Sequence, residues 1–298
     1  MSLYPIMDEN ILQFTGERFT PECVREIWYE HYHRYSFAKN LVNNKNVLDA
    51  ACGEGYGSQL LAKYAKKVVG IDIDEKSIKH AQNRYPIKNL NFIKTSVTNL
   101  PFEDNSFDVI VSFETLEHLL EQEQMLAEFN RVLKSDGLLI ISTPDKKYYS
   151  DETGFTNEFH LKELYKAEFK NLLDTYWQAQ SWFAQALSFN SIMQRLENTN
   201  NKYEFDVFTK SENLVKEKLI NPIYYVVIAT KNVKKLPKIE DLHLFTDSQQ
   251  SVYQHYNKTI KDYIYLANKH NALVKEQQQW LSHKILGKII RFFFKRDN

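Results

Sequence analysis

Short apolar runs alternate with amphipathic segments along the first half of the chain. Runs rich in β-branched residues predict five strands, at 45–53, 67–73, 92–94, 108–113 and 138–142. The segments between them carry apolar positions at helical spacing and predict helices at 58–65, 75–84 and 116–133. We expect the last of these helices to end at Gly137, because glycine is the usual residue just beyond a helix. Strands and helices that alternate at this spacing indicate a doubly wound α/β fold with a parallel sheet.

The pattern is weaker in the second half of the chain. A helix is predicted over 161–175, and the run YYVVIAT at 224–230 predicts a late strand. Between them, 177–219 mixes apolar and polar positions irregularly and supports no assignment. Three regions follow from these boundaries: an N-terminal arm or lid (1–44), a sheet domain (45–232) and a C-terminal helical tail (233–298).

Composition indicates a soluble protein with a substantial core. Of the 298 residues, 43% are hydrophobic and 26% charged, and 38 basic residues balance 38 acidic ones. Zero net charge argues against nucleic acid as a partner of the whole chain. Two cysteines make neither a disulfide framework nor a four-cysteine zinc site, which favours a reducing compartment. With no long apolar run and no apolar leader in the sequence, we expect a cytoplasmic protein.

Three glycines within five positions are the first functional signal. Gly53, Gly55 and Gly57 follow the first predicted strand and open the next helix. In an open α/β sheet, ligands bind beyond the carboxyl ends of the strands, where such a loop admits a close ligand and a helix N-terminus attracts an anion. Asp72 ends the second strand, where a carboxylate can accept hydrogen bonds from a ribose diol.

The loop differs from the glycine-rich loop of dinucleotide-binding enzymes, because its glycines follow the pattern G-x-G-x-G after DAAC. The segment Val47–Gly57 instead resembles motif I of class I S-adenosylmethionine-dependent methyltransferases. VGIDI at 69–73 resembles the following acidic motif, and LPF…SFD at 100–108 resembles the stretch before the fourth strand. The resemblance covers about residues 45–145 and implies a Rossmann-like sheet that binds S-adenosylmethionine.

The resemblance also assigns residues to the amino-acid and ribose parts of the cofactor. Asp49, Ala51 and the backbone of Gly53 and Gly55 would hold the methionine part. Asp72 would accept hydrogen bonds from the ribose hydroxyls.

A second group of residues is assigned to the adenine and to the reactive end of the cofactor. Ile73 would pack on the adenine ring. Many relatives have an aspartate where this chain has Ser96, so Ser96 and the backbone amide of Val97 would contact the polar edge of the base. Phe113 would lie beside the cofactor at the end of the fourth strand.

The N-terminal arm has a further resemblance of its own. GERFTPE at 16–22 and EHYHRY at 30–35 resemble an arm found in bacterial methyltransferases of polysaccharide and O-antigen assembly, as does the later stretch 142–164. This resemblance implies a lid over the cofactor, with Arg34 paired to the methionine carboxylate. The alternative is an exposed i,i+4 pair between Glu30 and Arg34.

Acceptor chemistry is expected just after the fourth strand, in the sequence ETLEH. Glu114, Glu117 and His118 would share one face of a helical turn. His118 could act as general base, or all three could bind a divalent cation. A similar E-x-x-E-H pattern occurs in ubiquinone-pathway O-methyltransferases that use Mg²⁺. A purely structural role at a helix start is the third interpretation, and His160 is a second catalytic candidate.

The C-terminal tail is basic and amphipathic. Residues 233–298 contain 12 Lys and Arg against 6 Asp and Glu. Within 280–296, cations and apolar residues fall on opposite helical faces, which predicts peripheral contact with an anionic membrane. In a cytoplasmic protein this membrane would be the inner face of the cytoplasmic membrane. Packing on protein is the alternative, and an irregular heptad over 253–279 permits a homodimer.

Together these observations predict an S-adenosylmethionine-dependent methyltransferase. The arm's resemblance implies O-methylation of a saccharide or glycan-linked acceptor in bacterial surface polysaccharide biosynthesis. Two alternatives stay open: an O-methyltransferase of quinone- or phenol-type small molecules, and a non-catalytic cofactor-binding scaffold of a membrane assembly complex.

Overall fold

The computed structural model describes residue 20 and residues 26–188, 206–208, 214–216 and 221–282. The helices in these ranges span Glu26–Ala38 (α1), Tyr56–Ala62 (α2), Glu75–Arg84 (α3), Gln122–Val132 (α4), Lys166–Asp174 (α5) and Ser251–Ser282 (α6). The strands span Asn46–Ala50 (β1), Lys67–Asp72 (β2), Leu90–Lys94 (β3), Phe107–Phe113 (β4), Leu133–Pro144 (β5), Ala179–Gln185 (β6), Asp206–Phe208 (β7), Leu214–Lys216 (β8) and Tyr224–Thr230 (β9).

Seven strands form one sheet in the order β3-β2-β1-β4-β5-β9-β6, and β7 and β8 form a separate pair. The strands from β3 to β5 are parallel, whereas β9 runs antiparallel to both β5 and β6. The predicted Rossmann-like α/β fold is confirmed, with the correction that the sheet is mixed. Because the strand order reverses between β1 and β4, the loops that follow these two strands flank the crevice where such folds bind ligands.

The central strands are buried on both faces, which explains their nearly continuous apolar sequences. Leu48 and Ile110 point to one side of the sheet and pack in a core with α4 and α5. Their neighbours Val47 and Val109 point to the other side and pack in a core with α1 and α2. The sheet is therefore a rigid layer whose carboxyl edge can hold side chains in fixed positions.

The long helix predicted over 116–133 is wrong in its start and in its glycine cap, whereas its end is one residue from the observed one. Leu116–His118 is a separate 3-10 turn, α4 begins only at Gln122, and β5 already starts at Leu133. Gly137 therefore lies in a strand and does not cap a helix. Its missing side chain has a packing reason, because a Cβ atom there would lie 2.6 Å from a methyl carbon of Leu133.

The chain divides into two compact units, residues 1–245 and 246–298. The first unit extends beyond the boundary predicted after residue 232, because the following segment packs back onto it. Leu236 and Ile239 pack against the core of α1 and α2, and the ring of Phe245 stacks on that of His33. In the second unit, α6 is one helix of 32 residues.

None of the helices in the described ranges combines the length and the apolar composition that a membrane span requires. The predicted membrane-contacting segment 280–296 lies mostly outside the described residues, as does nearly all of the GERFTPE stretch at 16–22.

Candidate cofactor and acceptor site

The glycine loop connects β1 to α2 at the carboxyl edge of the sheet. Gly53 and Gly55 have positive φ angles of 54° and 93°, a conformation that favours glycine, and Ala51 shares it at 59°. A Cβ atom at Gly55 would lie 2.8 Å from the ring of Phe92. The loop is therefore tightly folded, and Gly55 is required by packing as well as by its backbone conformation.

Asp49 is a buried residue of β1 that holds this loop in place through hydrogen bonds. Its carboxylate accepts hydrogen bonds from the hydroxyls of Ser58, at 2.5 Å, and Tyr35, at 3.1 Å. Complete burial raises the pKa of Asp49 to about 7, against the effect of these two hydrogen bonds. The resemblance assigned Asp49 to the methionine part of the cofactor, whereas in the structure it joins α1, β1 and α2 and so positions the glycine loop.

Asp72 is held at the end of β2, beside the same loop. Its two carboxylate oxygens accept hydrogen bonds from the backbone N–H groups of Gly53 and Asp74, each at 2.9 Å. A carboxylate oxygen can accept more than one hydrogen bond, which is the property that a ribose-binding residue needs. The next residue, Ile73, is 71% exposed, which leaves an apolar surface for a flat ring.

The segment after β3 lies next to Asp72, because the N–H of Thr95 donates to the Asp72 carbonyl at 3.0 Å. The hydroxyl of Ser96 is 2.8 Å from that of Thr98 and also accepts the Thr98 N–H. Val97 is buried. The structure thus brings the predicted adenine residues to the edge where Ile73 is exposed.

Arg34 is a basic side chain of the site that is only 2% exposed. Its Nη1 donates to Gln185 at 2.9 Å and lies 3.8 Å from Glu114, and the guanidinium stacks over the ring of Tyr224. Among the described residues, its Nε and Nη2 have no hydrogen-bond partner. The interpretation of Arg34 as half of an exposed surface pair is wrong, because the side chain is buried beneath β6 and β9.

Unsatisfied buried guanidinium donors are costly, so they indicate a group that completes them on binding. The carboxylate of a methionine moiety has the charge and the two acceptor oxygens that these donors require. Glu30, one helical turn before Arg34, is also largely buried, and burial raises its pKa to about 7. The Tyr224 hydroxyl donates to the Glu30 carboxylate at 3.3 Å.

The residues after β4 do not form the helical face predicted for them. Glu114 has a φ of 52°, and its carboxylate accepts a 2.5 Å hydrogen bond from Ser142 on the side of Arg34. Glu117 is fully buried and accepts a hydrogen bond from Thr143 at 3.0 Å. Burial, reinforced by the nearby Glu114, raises the pKa of Glu117 well above its ordinary value.

The predicted metal set Glu114, Glu117 and His118 is therefore separated, because the left-handed residue at 114 and the 3-10 turn direct Glu114 away. Instead, Glu117, His118 and His160 converge, with one ligand atom from each lying within 4.8 Å of the others. We call these three residues the histidine cluster. The rings of His118 and His160 meet edge to face, with their centroids 5.0 Å apart.

Several residues of the site were missed by sequence reasoning. Gln185, which also donates to the Glu30 carbonyl, lies in the stretch that supported no assignment. Tyr224 was assigned to a strand but not to the site, and Tyr149 stacks on His160 with ring centroids 5.2 Å apart. The adjacent tyrosines YY at the start of β9 were the available signal, since aromatic residues at a strand end near a ligand edge are candidate contacts.

Comparisons with known proteins agree with this geometry. Residues 48–141 match the family model described as a methyltransferase domain. A probable S-adenosylmethionine-dependent methyltransferase of Mycolicibacterium smegmatis is 37% identical over 55% of this chain and 64% of its own length. The phthiotriol/phenolphthiotriol dimycocerosates methyltransferase of Mycobacterium leprae is 32% identical over 46% of this chain and 52% of its own length.

A solved chain in the complex of the Haloferax volcanii Trm112 methyltransferase activator with a methyltransferase has the same fold. It aligns with a TM-score of 0.50 at 17% identity, over 67% of this chain and 89% of that chain. The curated relatives above are matched over less than two thirds of their own lengths. Residues 48–141 thus match a methyltransferase domain, and the sheet around them has the Rossmann-like fold of the solved chain.

Proposed function

We propose that this protein transfers the methyl group of S-adenosylmethionine to a hydroxyl oxygen of a saccharide-containing acceptor. The observation that carries the cofactor part is the buried Arg34, whose Nε and Nη2 have no partner among the described residues. It lies at the same sheet edge as the glycine loop and Asp72. The mycobacterial relatives named as S-adenosylmethionine-dependent methyltransferases support the same cofactor.

In this proposal each part of the site has a separate task. Arg34 pairs with the methionine carboxylate, and Gln185, Tyr224 and Glu30 hold its guanidinium in place. Asp72 orients the ribose. Residues 73, 96 and 97 contact the adenine. S-adenosylmethionine supplies an electrophilic methyl group on its sulfonium, so the protein has mainly to align the acceptor and remove its proton.

Proton removal is assigned to the histidine cluster. His118 directs Nδ1 at the Phe159 carbonyl oxygen, 2.9 Å away, so this nitrogen carries the ring proton and Nε2 carries the lone pair. Glu114, between the cluster and Arg34, connects the acceptor side to the cofactor side.

The character of the acceptor side supports a saccharide. Aromatic rings and hydrogen-bonding groups alternate there: Tyr149 stacks on His160, and Asn157 and Glu163 both contact His160. Sugars need this combination of ring faces and polar groups, whereas an alkyl chain needs a continuous apolar wall. A second candidate, an alcohol or phenol on a lipid, is favoured by the acceptors in the name of the Mycobacterium leprae relative.

Calorimetric titration with S-adenosylmethionine tests the cofactor assignment. Arg34→Gln should weaken binding on the order of 100-fold, about 3 kcal/mol, because it removes the charged partner of the carboxylate. Lys79→Gln removes one exposed positive charge, which pairs with Glu75 on the same helix, and should bind like the wild type. Equal affinity of the Arg34 variant and the wild type would refute the carboxylate assignment.

Acceptor classes can be compared with S-adenosylmethionine labelled in its methyl group. The protein is incubated with nucleotide sugars, glycolipid extracts, long-chain alcohols and simple phenols, and labelled products are analysed by mass spectrometry. Label in a sugar ring supports the first candidate, and label in the lipid or phenol moiety supports the second. Cofactor binding without transfer to any of these classes would favour a non-catalytic scaffold.

A further inference from the structure

The histidine cluster has a feature that proton removal alone does not explain. Glu117 is completely buried, yet its Oε1 has no hydrogen-bond partner within the described part of the chain, and Nε2 of His118 is 3.9 Å away. The other carboxylate oxygen, Oε2, is satisfied by Thr143. A buried carboxylate oxygen directed at imidazole nitrogens needs a proton or a cation between them.

Both histidines are held in the tautomer that places the ring proton on Nδ1 and the lone pair on Nε2. Nδ1 of His118 donates to the carbonyl oxygen of Phe159 at 2.9 Å, and Nδ1 of His160 donates to the Glu163 carboxylate at 2.6 Å. Histidines that bind metals almost always donate their second ring N–H to a carbonyl or a carboxylate in this way. The outer contacts expected around a metal are therefore already present for both rings.

One contact has to change when an ion binds. Nε2 of His160 accepts a hydrogen bond from the side-chain amide of Asn157 at 3.0 Å. The same amide also lies 3.3 Å from the Tyr149 hydroxyl, and its oxygen accepts the Phe159 N–H. Asn157 therefore keeps two partners when Nε2 turns to an ion.

We propose that Glu117, His118 and His160 bind a divalent transition-metal ion such as Zn²⁺, Mn²⁺ or Fe²⁺. Two imidazoles and one carboxylate suit these ions, whereas Mg²⁺ prefers oxygen ligands and keeps several waters. The atoms now lie within 4.8 Å of one another, and bonds of about 2.0–2.2 Å require only a small contraction. Three protein ligands leave a coordination position for a further oxygen, as in catalytic zinc sites.

The use of the ion rests on the proposed function, although its binding does not. An acceptor hydroxyl bound at the open position has a lowered pKa and loses its proton to water. The oxygen then forms a bond to the methyl carbon while the carbon–sulfur bond of the sulfonium breaks, which leaves the neutral thioether S-adenosylhomocysteine. In this scheme the Nε2 lone pair of His118 binds the ion, so the ion takes over from His118 the task of promoting proton loss.

Cobalt binding to the 298-residue chain tests the proposal without any acceptor. After chelator treatment and buffer exchange, Co²⁺ is titrated and its visible d–d absorption is followed, with the bound metal counted by elemental analysis. We expect one Co²⁺ per chain, displaced by Zn²⁺ but not by excess Mg²⁺. Absence of Co²⁺ absorption in the wild type, or displacement by Mg²⁺ at equal concentration, would overturn the proposal.

Variants identify the ligands. His118→Ala and His160→Gln should each lower Co²⁺ affinity at least 100-fold, and Glu163→Gln should lower it about 10- to 100-fold by replacing the charged outer contact to His160 with a neutral one. One control should bind like the wild type: His255→Ala, which removes an exposed histidine from α6. Wild-type affinity in both cluster variants would overturn the ligand assignment.

Two further measurements distinguish loss of the metal site from loss of the fold and from failure of the proposed function. Thermal unfolding of each variant shows whether lost metal binding reflects a lost fold, and His160→Gln is the gentler of the two changes in this respect. Titration of the metal-free protein with S-adenosylmethionine tests the cofactor assignment separately. Cofactor binding without Co²⁺ binding overturns this inference alone, whereas Co²⁺ binding without cofactor binding overturns the proposed function alone.

Discussion

For two acidic side chains of the site, burial affects the pKa more strongly than nearby charges and hydrogen bonds do. Glu30 and Asp49 both have pKa values raised to about 7, in each case mainly by desolvation. At this scale the sequence identified the chemistry of single residues but not their burial. Arg34 and Glu30 match a surface pair as well as a buried site, and only the packing of β6 and β9 over α1 distinguishes the two.

Glu30 should make the stability of the protein depend on pH. Its carboxyl group has an ordinary pKa of 4.5 and a folded-state pKa of about 7, so the folded protein holds this proton more tightly than the unfolded chain does. The stabilisation is fully present below about pH 4.5 and is lost as the pH rises through 7. A difference of roughly 2.5 pKa units corresponds to about 3 kcal/mol.

Urea unfolding between pH 5 and pH 8 measures this effect. Glu30→Gln should be the more stable protein at pH 8, by up to about 3 kcal/mol, and the difference should shrink toward pH 5. Glu103→Gln, at an exposed position, controls for the loss of one carboxylate. A constant difference between Glu30→Gln and the wild type across this range would contradict the assigned pKa.

At the scale of helices and strands, the sequence correctly predicted the elements whose ends are determined by nearby residues. The predicted helix 75–84 and strand 224–230 have the observed bounds of α3 and β9. The side chain of Asp74 caps α3 by accepting the N–H groups of Lys76 and Ser77. The break between the 3-10 turn and α4 has a distant cause instead, because the Gln122 amide donates to the carbonyls of both Leu116 and Lys162.

The contact between α1 and α2 gives a prediction at this scale. Gly57 lies in the first turn of α2, and a Cβ atom there would overlap the ring of Tyr35. Gly57→Ala should therefore destabilise the protein by about 1–3 kcal/mol, although alanine is normally the better helix former. It should also weaken cofactor binding, because Tyr35 is a hydrogen-bond partner of Asp49.

A double-mutant cycle with Tyr35→Leu separates this contact from other effects. Denaturant unfolding of both single variants and the double variant gives the coupling free energy. We expect the Gly57→Ala cost to fall markedly when the ring is absent. Strict additivity of the two substitutions would mean that the ring is not the obstacle.

For the whole molecule, the two compact units set where the chain can be shortened. The cofactor residues lie in 1–245, and 233–245 contributes apolar and aromatic contacts to α1. A chain of residues 1–245 should keep its thermal unfolding temperature within a few degrees and bind S-adenosylmethionine. A chain of residues 1–232 should lose roughly 3–5 kcal/mol of unfolding free energy, because Leu236, Ile239 and Phe245 no longer cover the core.

Calorimetry and thermal unfolding of the two shortened chains provide the measurement. They differ only in residues 233–245, so each is the control of the other. Equal stability of the two chains would place the limit of the first unit at the boundary predicted from the sequence.

The partners of Arg34 have a consequence for how the protein acquires its activity during synthesis. Gln185 follows Arg34 by 151 residues, and Tyr224 follows Glu30 by 194. A nascent chain that has completed the glycine loop and its strands still lacks the contacts that hold the guanidinium. Cofactor binding should therefore arise late in translation, once β9 has left the ribosome, so that incomplete chains do not sequester S-adenosylmethionine.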